Sequence, residues 1–238
     1  MLLLALACAA VAAFTLGSAA AATPAAGYAV TNWSTANANG GAVGPVGVAA
    51  DPNSPSDIYV MNYASGTLYR YDQAAGGVEG PAHQVSLSGQ YGGNNAAGIA
   101  FDKDGKLYTA MQAWNAVAEI SKVDGHVIRY LSSPYGIFWC ATGIATDPLS
   151  GDLFVTSPCG WGTIRIPTSG DGSGSAVGPA IDGITFGPEG TIWGEGGGWV
   201  YKMPGTNKPD YGTYTAVAYV PWGDGISVAA AADDPSLP

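Results

Sequence analysis

Three acidic side chains in the last two sequence repeats, two of them at matching positions, have the type and spacing that suit metal chemistry. Asp182 and Asp224 each precede a glycine that opens a short apolar strand, and Glu195 closes the hairpin that Asp182 opens. Three carboxylates in one small volume repel one another, and a bound divalent cation relieves that repulsion. Because the candidate ligands are all oxygens, Ca²⁺ or Mg²⁺ suits them better than Zn²⁺. The amides of Asn62 and Asn115 complete the predicted metal site.

The same aspartates have a structural alternative. In an Asp-Gly pair the aspartate side chain can accept a hydrogen bond from the backbone two residues further on and so stabilise a turn. The pairs Asp182-Gly183 and Asp224-Gly225 fit this description as well as they fit a metal site. The sequence leaves both interpretations open.

Aromatic and amide side chains cluster around the same loops and suggest ligand binding. Aromatic rings at such a position could stack on a sugar or another flat ligand. Packing between strands is the alternative for these rings. The predicted ligand-binding residues are Tyr63, Gln112, Trp114, Trp139 and Trp161.

Histidine chemistry is not expected at these loops. The chain has two histidines, His83 and His126, and both fall on predicted outer strands, away from the candidate site. No Ser-His-Asp or Cys-His arrangement can be assembled from the remaining residues, so the usual general base of a hydrolase is missing.

Five glycines open short apolar strands, and their spacing predicts the elements that position these side chains. Successive glycines are 51, 45, 40 and 42 residues apart. A period near this length, with several short strands per unit, is typical of a β-propeller blade. We predict an all-β propeller of four-stranded antiparallel blades, six in the whole ring, with four blades and one further strand in this sequence. A compact four-bladed ring is the alternative. The glycines are Gly47, Gly98, Gly143, Gly183 and Gly225.

The strand order within each unit places the candidate residues at one face of the propeller. Loops that follow the second strands lie at the same end of a blade as the opening glycines, so the polar residues converge on the mouth of the central channel. Asp51, Asp102 and Asp147 end the inner strands at the opposite face, where we expect them to cap turn amides. Second strands are predicted at 57–60, 107–110, 153–156 and 192–194, third strands at 67–71, 116–120, 163–166 and 199–203, and outer strands near 83–87, 126–131 and 213–220.

Three segments resemble the blades of the NHL-repeat and streptogramin-lyase superfamily. They are residues 98–109 (GIAFDKDGKLYT), 143–155 (GIATDPLSGDLFV) and 183–193 (GITFGPEGTIW), and the resemblance covers about residues 45–230. It implies the propeller fold but not one activity, because such blades serve lyases, lactonases, amidating lyases and binding proteins. Gluconolactonase-like relatives carry a divalent metal in the central channel, and the streptogramin lyases rely on a histidine and a metal.

The amino-terminal residues predict export. Residues 1–22 are almost wholly small or apolar and end in three alanines, which is typical of a secretory signal peptide. An uncleaved anchor is the alternative, because no Lys or Arg precedes the apolar run. We expect residues 23–44 to form an amino-terminal segment in which Tyr28–Trp33 closes the ring as an outer strand. Residues 45–238 form the propeller, which the pattern predicts to be truncated at its carboxyl end.

Charge and cysteine content indicate which binding partners are excluded and which cellular compartment is expected. Eight Lys and Arg against 18 Asp and Glu give a net charge of −10, which opposes phosphate binding and excludes nucleic acid. We expect no membrane association once the signal peptide is cleaved. Cys140 and Cys159 remain as a pair in an oxidising compartment. Each lies seven residues outside the turn flanked by Asp147 and Asp152, so the two face each other in the hairpin and we predict a disulfide.

Two functional hypotheses follow. The first is a secreted, extracellular ligand-binding propeller that holds a small molecule or a glycan by aromatic and amide side chains. The alternative is a divalent-metal-dependent, lactonase-like hydrolase or lyase with its site in the channel mouth. The missing histidine favours the first.

Overall fold

A computed structural model describes residues 45–63, 67–72, 77–78, 84–86, 96–112, 115–131, 140–160, 162–168, 174–221 and 225–226. The chain divides into two compact units, Met1–Trp33 and Ser34–Pro238, and every described residue belongs to the second. The strands of this second unit are β1 (Pro45–Asp51), β2 (Ser54–Asn62), β3 (Thr67–Asp72), β4 (Gly77–Val78), β5 (Gln84–Ser86), β6 (Ala96–Phe101), β7 (Leu107–Met111), β8 (Ala116–Ile120), β9 (Val127–Leu131), β10 (Ile144–Thr146), β11 (Leu153–Ser157), β12 (Gly162–Ile166), β13 (Ser175–Gly178), β14 (Gly183–Phe186), β15 (Ile192–Gly196), β16 (Trp199–Met203) and β17 (Thr215–Tyr219).

These strands form four antiparallel sheets that are the blades of a β-propeller, and this confirms the predicted fold class. Blades 2, 3 and 4 are β6–β9, β10–β13 and β14–β17, each paired in sequence order. Blade 1 has the order β1-β2-β3-β4, and β5 also pairs with β3. Strand β13 was not predicted, because Ser175–Gly178 contains no alternation of apolar and polar residues.

The hydrophobic cores lie between successive blades. In blade 1, Tyr59 and Met61 are buried and pack in one cluster with residues of blade 2. The Tyr59 ring meets Phe101 of blade 2 edge-on, with 5.3 Å between centroids. Phe154 of blade 3 meets Phe186 of blade 4 in the same way at 5.1 Å. An aromatic side chain on a second strand therefore packs against the end of the next inner strand, in an edge-to-face geometry that aromatic pairs favour.

The glycines that open the inner strands allow successive blades to approach closely. A Cβ atom on Gly98 would lie 2.6 Å from the carbonyl oxygen of Thr142, and one on Gly143 would lie 2.4 Å from that of Asp182. The Gly98 amide also donates to the Thr142 carbonyl at 2.8 Å. The repeat of glycine in the sequence thus has a packing cause, because any larger residue would push the neighbouring blade outwards.

The aspartates that end the inner strands cap turns, as predicted. Asp51, Asp102 and Asp147 are 2%, 5% and 0% exposed. Asp102 Oδ1 accepts hydrogen bonds from the amides of Asp104 and Lys106, both at 2.9 Å. Asp51 and Asp147 each accept one from the amide two residues further on, also at 2.9 Å. This face of the propeller, opposite the mouth, is called the turn face below.

Within the described ranges, no helix has the length and apolar character needed to cross a bilayer. Beyond blade 4, Gly225 and Ile226 are described. The Gly225 amide donates to Glu195 Oε1 at 3.1 Å, so the fifth glycine lies against blade 4.

Candidate functional site

Tyr63 and Gln112 join blades 1 and 2 at the mouth of the channel. Each residue follows the second strand of its blade, and each is half-buried. The Tyr63 hydroxyl donates a hydrogen bond to Gln112 Oε1. The structure therefore brings together two residues that are 49 positions apart in the chain and that were both predicted to bind a ligand. An aromatic ring and an amide are held side by side at this point.

Asn115 and Cys140 continue the mouth between blades 2 and 3. The Cys140 amide donates to Asn115 Oδ1 at 3.2 Å. Among the described residues other than glycine, these two alone have a positive φ, +48° at Asn115 and +56° at Cys140. Such a left-handed backbone costs roughly 1 kcal/mol or more per residue. The hydrogen bond of the Asn115 side chain helps to hold the loop in this conformation.

The predicted disulfide is confirmed. Cys140 and Cys159 are bonded, with 5.8 Å between their Cα atoms. The register that predicted the bond is observed next to the turn, where Thr146 pairs with Leu153 and Ala145 with Phe154. The bond closes the open end of the blade 3 hairpin, directly beside Asn115.

Glu195 is the buried acid of the mouth, with 5% exposure. Its Oε1 atom accepts hydrogen bonds from the backbone amides of Gly183 and Gly225, both at 3.1 Å. One carboxylate oxygen thus connects the inner strand of blade 4 to the segment that follows this blade. Hydrogen bonds from two amides stabilise the charged form of a carboxylate in a buried position.

Thr156 connects an inner strand to the segment that follows its blade in the same way, one blade earlier. It was not among the predicted site residues. Its side chain accepts from the Gly143 amide at 2.8 Å and donates to the Asp182 carbonyl oxygen at 2.6 Å. Thr156 lies opposite Gly143 as Glu195 lies opposite Gly183. The hairpin register that predicted the disulfide could have found it.

The structure places Asp182 half-buried at the start of blade 4, where its amide donates to the Glu195 carbonyl at 2.7 Å. Asn62 is 1% exposed at the end of β2. The other predicted site residues, Asp224, Trp114, Trp139 and Trp161, lie outside the described residues. No group of three His, Cys, Asp or Glu side chains with metal-binding geometry occurs in the described ranges. The metal site therefore stays a prediction.

His126 lies at the turn face, as expected of a residue that cannot reach the mouth. It immediately precedes β9, and its Nδ1 atom is 2.6 Å from Asp124 Oδ1. His83 lies outside the described residues. The buried hydroxyl of Tyr108 also lies near the turn face, where it donates to Asp102 Oδ2 at 3.1 Å. Burial raises the pKa of its hydroxyl far above the ordinary range, and the nearby carboxylate of Asp102 raises this pKa further.

The positive charges of the chain lie away from the mouth. All eight Lys and Arg residues are described, and none stands in a loop that follows a second strand or precedes an inner strand. Several are paired with acids, such as Arg165 with Asp152 and Arg129 with Glu119. The eight are Arg70, Lys103, Lys106, Lys122, Arg129, Arg165, Lys202 and Lys208. The mouth is thus an uncharged to acidic surface.

Comparison with solved structures agrees with this architecture. A catalytically inactive virginiamycin B lyase from Staphylococcus aureus with quinupristin matches at a TM-score of 0.56 and 19% identity, over 74% of this chain and 55% of the lyase. The two proteins share the β-propeller fold. This chain spans about half the length of the streptogramin lyases it matches. The resemblance predicted from the blade sequences is therefore confirmed for the fold.

Other propellers match equally well and have different roles. A nidogen/laminin complex matches at a TM-score of 0.60 and 14% identity, over 78% of this chain and 68% of that chain. The extracellular domain of a hybrid two-component system from B. thetaiotaomicron matches at 0.53 and 11%, over 74% and 22%. No protein-family model matches the sequence, and no curated protein does. At these identities the likeness concerns the fold alone.

Proposed function

We propose that this streptogramin-lyase-like propeller is a secreted ligand-binding protein that holds a small molecule or a glycan at the mouth of its channel. The observation that carries the proposal is the cross-blade hydrogen bond between Tyr63 and Gln112. It fixes an aromatic ring beside an amide at the face where loops from all blades converge. A ring for stacking and an amide for hydrogen bonding are the groups that neutral, hydroxylated ligands require.

The charge distribution supports a ligand without negative charge. No Lys or Arg stands at the mouth, while Asp182 and Glu195 do. An anionic ligand would meet like charges there with no cation to compensate them. Neutral glycans and uncharged small molecules are therefore the class to examine first.

Two observations support export. The disulfide between Cys140 and Cys159 is of the kind that persists in oxidising compartments. One of the matching propellers is described as an extracellular domain. Together with the apolar residues 1–22, they favour a secreted protein. Mass spectrometry of the exported protein tests this point, and the expected amino terminus lies close to Thr23.

The binding proposal is tested with an array of neutral glycans and with the variant Tyr63→Ala. Loss of the ring should weaken any ligand found by about fivefold or more, because the stacking of a flat group such as a nucleobase on an aromatic side chain contributes roughly 1–3 kcal/mol. Tyr130→Ala is the matched control, since Tyr130 lies on the outer strand β9 and is 48% exposed. Equal affinity of wild type and Tyr63→Ala would contradict the proposal, provided both variants unfold at similar temperatures.

The metal-dependent alternative rests on the position of Glu195 beside Asp182. The described residues supply two of the predicted carboxylates, and one oxygen of Glu195 already accepts two amide hydrogen bonds. A bound Ca²⁺ would raise the unfolding temperature by mass action, and EDTA would reverse the effect. Asp182→Asn should remove the calcium response. Glu189 is an exposed acid at the turn face of the same blade, so the variant Glu189→Gln should retain the response.

A further inference from the structure

The channel contains a cavity that lies away from the predicted mouth. Its volume is about 650 Å³, which is within the range of small-molecule sites. The described lining begins one residue after each opening glycine and reaches the turns at the other end, where Pro148 and Pro188 contribute. No mouth residue discussed above lines it. The cavity therefore occupies the part of the channel that leads to the turn face.

The described side chains that line the cavity are uncharged, and most of them are apolar. Among its described residues there is no Asp, Glu, Lys, Arg or His, and threonine provides the only hydroxyl groups. One of these hydroxyls, on Thr146, donates to the Phe101 carbonyl oxygen at 2.7 Å. Lys122 contacts the Phe101 ring, 5.5 Å from its centroid, but its charge is paired with Asp51. A charged ligand in this cavity would find no counter-charge among the described side chains that line it.

The inner strands add polar backbone groups to this lining. Strands β1, β6, β10 and β14 each stand at one end of their sheet, so each is paired along one edge only. The other edge of each strand runs along the channel. Amide and carbonyl groups on that edge can hydrogen-bond a neutral polar group such as an amide.

The aromatic walls of the cavity are held in place by the blade interfaces. Phe101 packs edge-on against Tyr59, and Phe186 packs edge-on against Phe154. Their rings are thus already positioned before any ligand enters. A site whose rings are fixed in advance loses little side-chain entropy on binding.

We infer that this cavity is a second binding site, separate from the mouth, for an uncharged molecule with one aromatic ring and an amide-like polar group. The ring would lie between the phenylalanines, and the polar group would bond to the strand edges. The inference does not depend on the function proposed above, because the two sites share no described residue.

Three probes of nearly equal shape test the charge preference. Benzamide is neutral, benzoate is anionic and benzamidinium is cationic. We expect benzamide at millimolar concentration to bind the purified protein at least tenfold more tightly than either ion, as measured by ligand-observed NMR titration. Equal affinity for the three probes, or no binding of benzamide, would overturn the inference.

Methyl chemical shifts locate the bound probe in the wild-type protein. With ¹³C-labelled isoleucine methyls, benzamide should shift the signals of Ile99, Ile144 and Ile184, which line the cavity. Ile128 is the internal control, because it is 53% exposed on the outer strand β9. Shifts at Ile128 without shifts at the other three would place the probe elsewhere and refute the site.

A filled cavity provides the complementary test. Thr185→Trp puts a large side chain into the lining and should abolish benzamide binding. Thr215→Trp makes the same replacement on the exposed outer strand of the same blade and should leave binding unchanged. Tyr63→Ala at the mouth should also leave benzamide binding unchanged. A wrong cavity proposal and a wrong mouth proposal can therefore be told apart, because Thr185→Trp tests the first and Tyr63→Ala tests the second. If Thr185→Trp does not fold, the methyl shifts alone decide.

Discussion

Substitution of Gly143 by alanine is the sharpest test of how the blades are joined. The added Cβ would lie 2.4 Å from the Asp182 carbonyl oxygen and 2.7 Å from Thr156 Oγ1. The nearer atom belongs to the backbone of the next blade, so it cannot turn away. Relief requires blade 3 and blade 4 to separate by about 1 Å, since ordinary contacts of this type begin near 3.4 Å.

The expected loss in free energy of unfolding follows from the interactions that this separation would weaken. Overpacking of a well-packed interior typically costs 1–3 kcal/mol. The Thr156 hydroxyl would also lose its hydrogen bond to the Asp182 carbonyl, now 2.6 Å, which contributes about 1 kcal/mol. Alanine also lowers the conformational entropy of the unfolded chain, which raises the free energy of unfolding by roughly 0.4–1 kcal/mol. The net loss in free energy of unfolding is about 2 kcal/mol, or about 6 °C in Tm for a domain of this size.

Urea unfolding followed by tryptophan fluorescence measures this loss, with Gly187→Ala as the matched control. A Cβ on Gly187 meets only the carboxylate of Glu189, at 3.2 Å or more. Glu189 is exposed and its side chain can move. We expect the control to stay within about 1 kcal/mol of wild type.

A Gly143→Ala protein that unfolds at the same urea concentration as Gly187→Ala would refute the reasoning. It would mean that the blades adjust freely and that the repeated glycine has another cause. A change in the slope of the transition, rather than its midpoint, would also count against a simple packing loss.

Three further predictions concern the hydrogen bonds and the disulfide. Thr156→Val should lower the free energy of unfolding by about 2 kcal/mol in urea, because buried polar partners lose their hydrogen bonds; wild-type stability would contradict this. Replacing Cys140 and Cys159 by serine should lower the free energy of unfolding by about 3 kcal/mol, since the disulfide closes a loop with a separation of 19 residues. An unchanged urea midpoint would show that this loop is already ordered without the disulfide. Because burial raises the pKa of Tyr108, its stabilising effect is complete below the ordinary tyrosine pKa of about 10 and is lost as the pH rises above it. Tyr108→Phe should therefore reduce the decline in the urea midpoint between pH 8 and pH 11, and an unchanged decline would argue against a raised pKa.

The blade pattern was predictable from the sequence because its signals are local. A glycine, three or four apolar residues and an aspartate mark an inner strand and its turn, and each part has a cause within a few residues. The buried Asp102, which caps the amides of its own turn, is an example. The disulfide was predictable for the same reason, since the register of a hairpin depends only on the position of its turn. The outer strand β13 was not, because a short, half-exposed strand carries no hydrophobic period.

The candidate site was predictable only in part. The sequence indicated that Tyr63 and Gln112 share a face, because each follows the second strand of its blade. It could not show that their side chains are bonded, since that interaction depends on how closely two blades pack. It also assigned Glu195 to a metal, which stays a prediction, and it could not show that one oxygen of this acid accepts hydrogen bonds from the amides of Gly183 and Gly225.

The sequence by itself determined the inner, second and third strands of the blades, the hairpin register and the cysteine pair. All of these follow from short-range geometry or from composition. Only the tertiary structure decided which partners the polar groups of Thr156 and Glu195 take, and that the channel holds an uncharged cavity towards the turn face. These features depend on atoms from successive blades, about 40 residues apart in the chain. No local sequence pattern indicates how far apart such atoms lie in the folded protein.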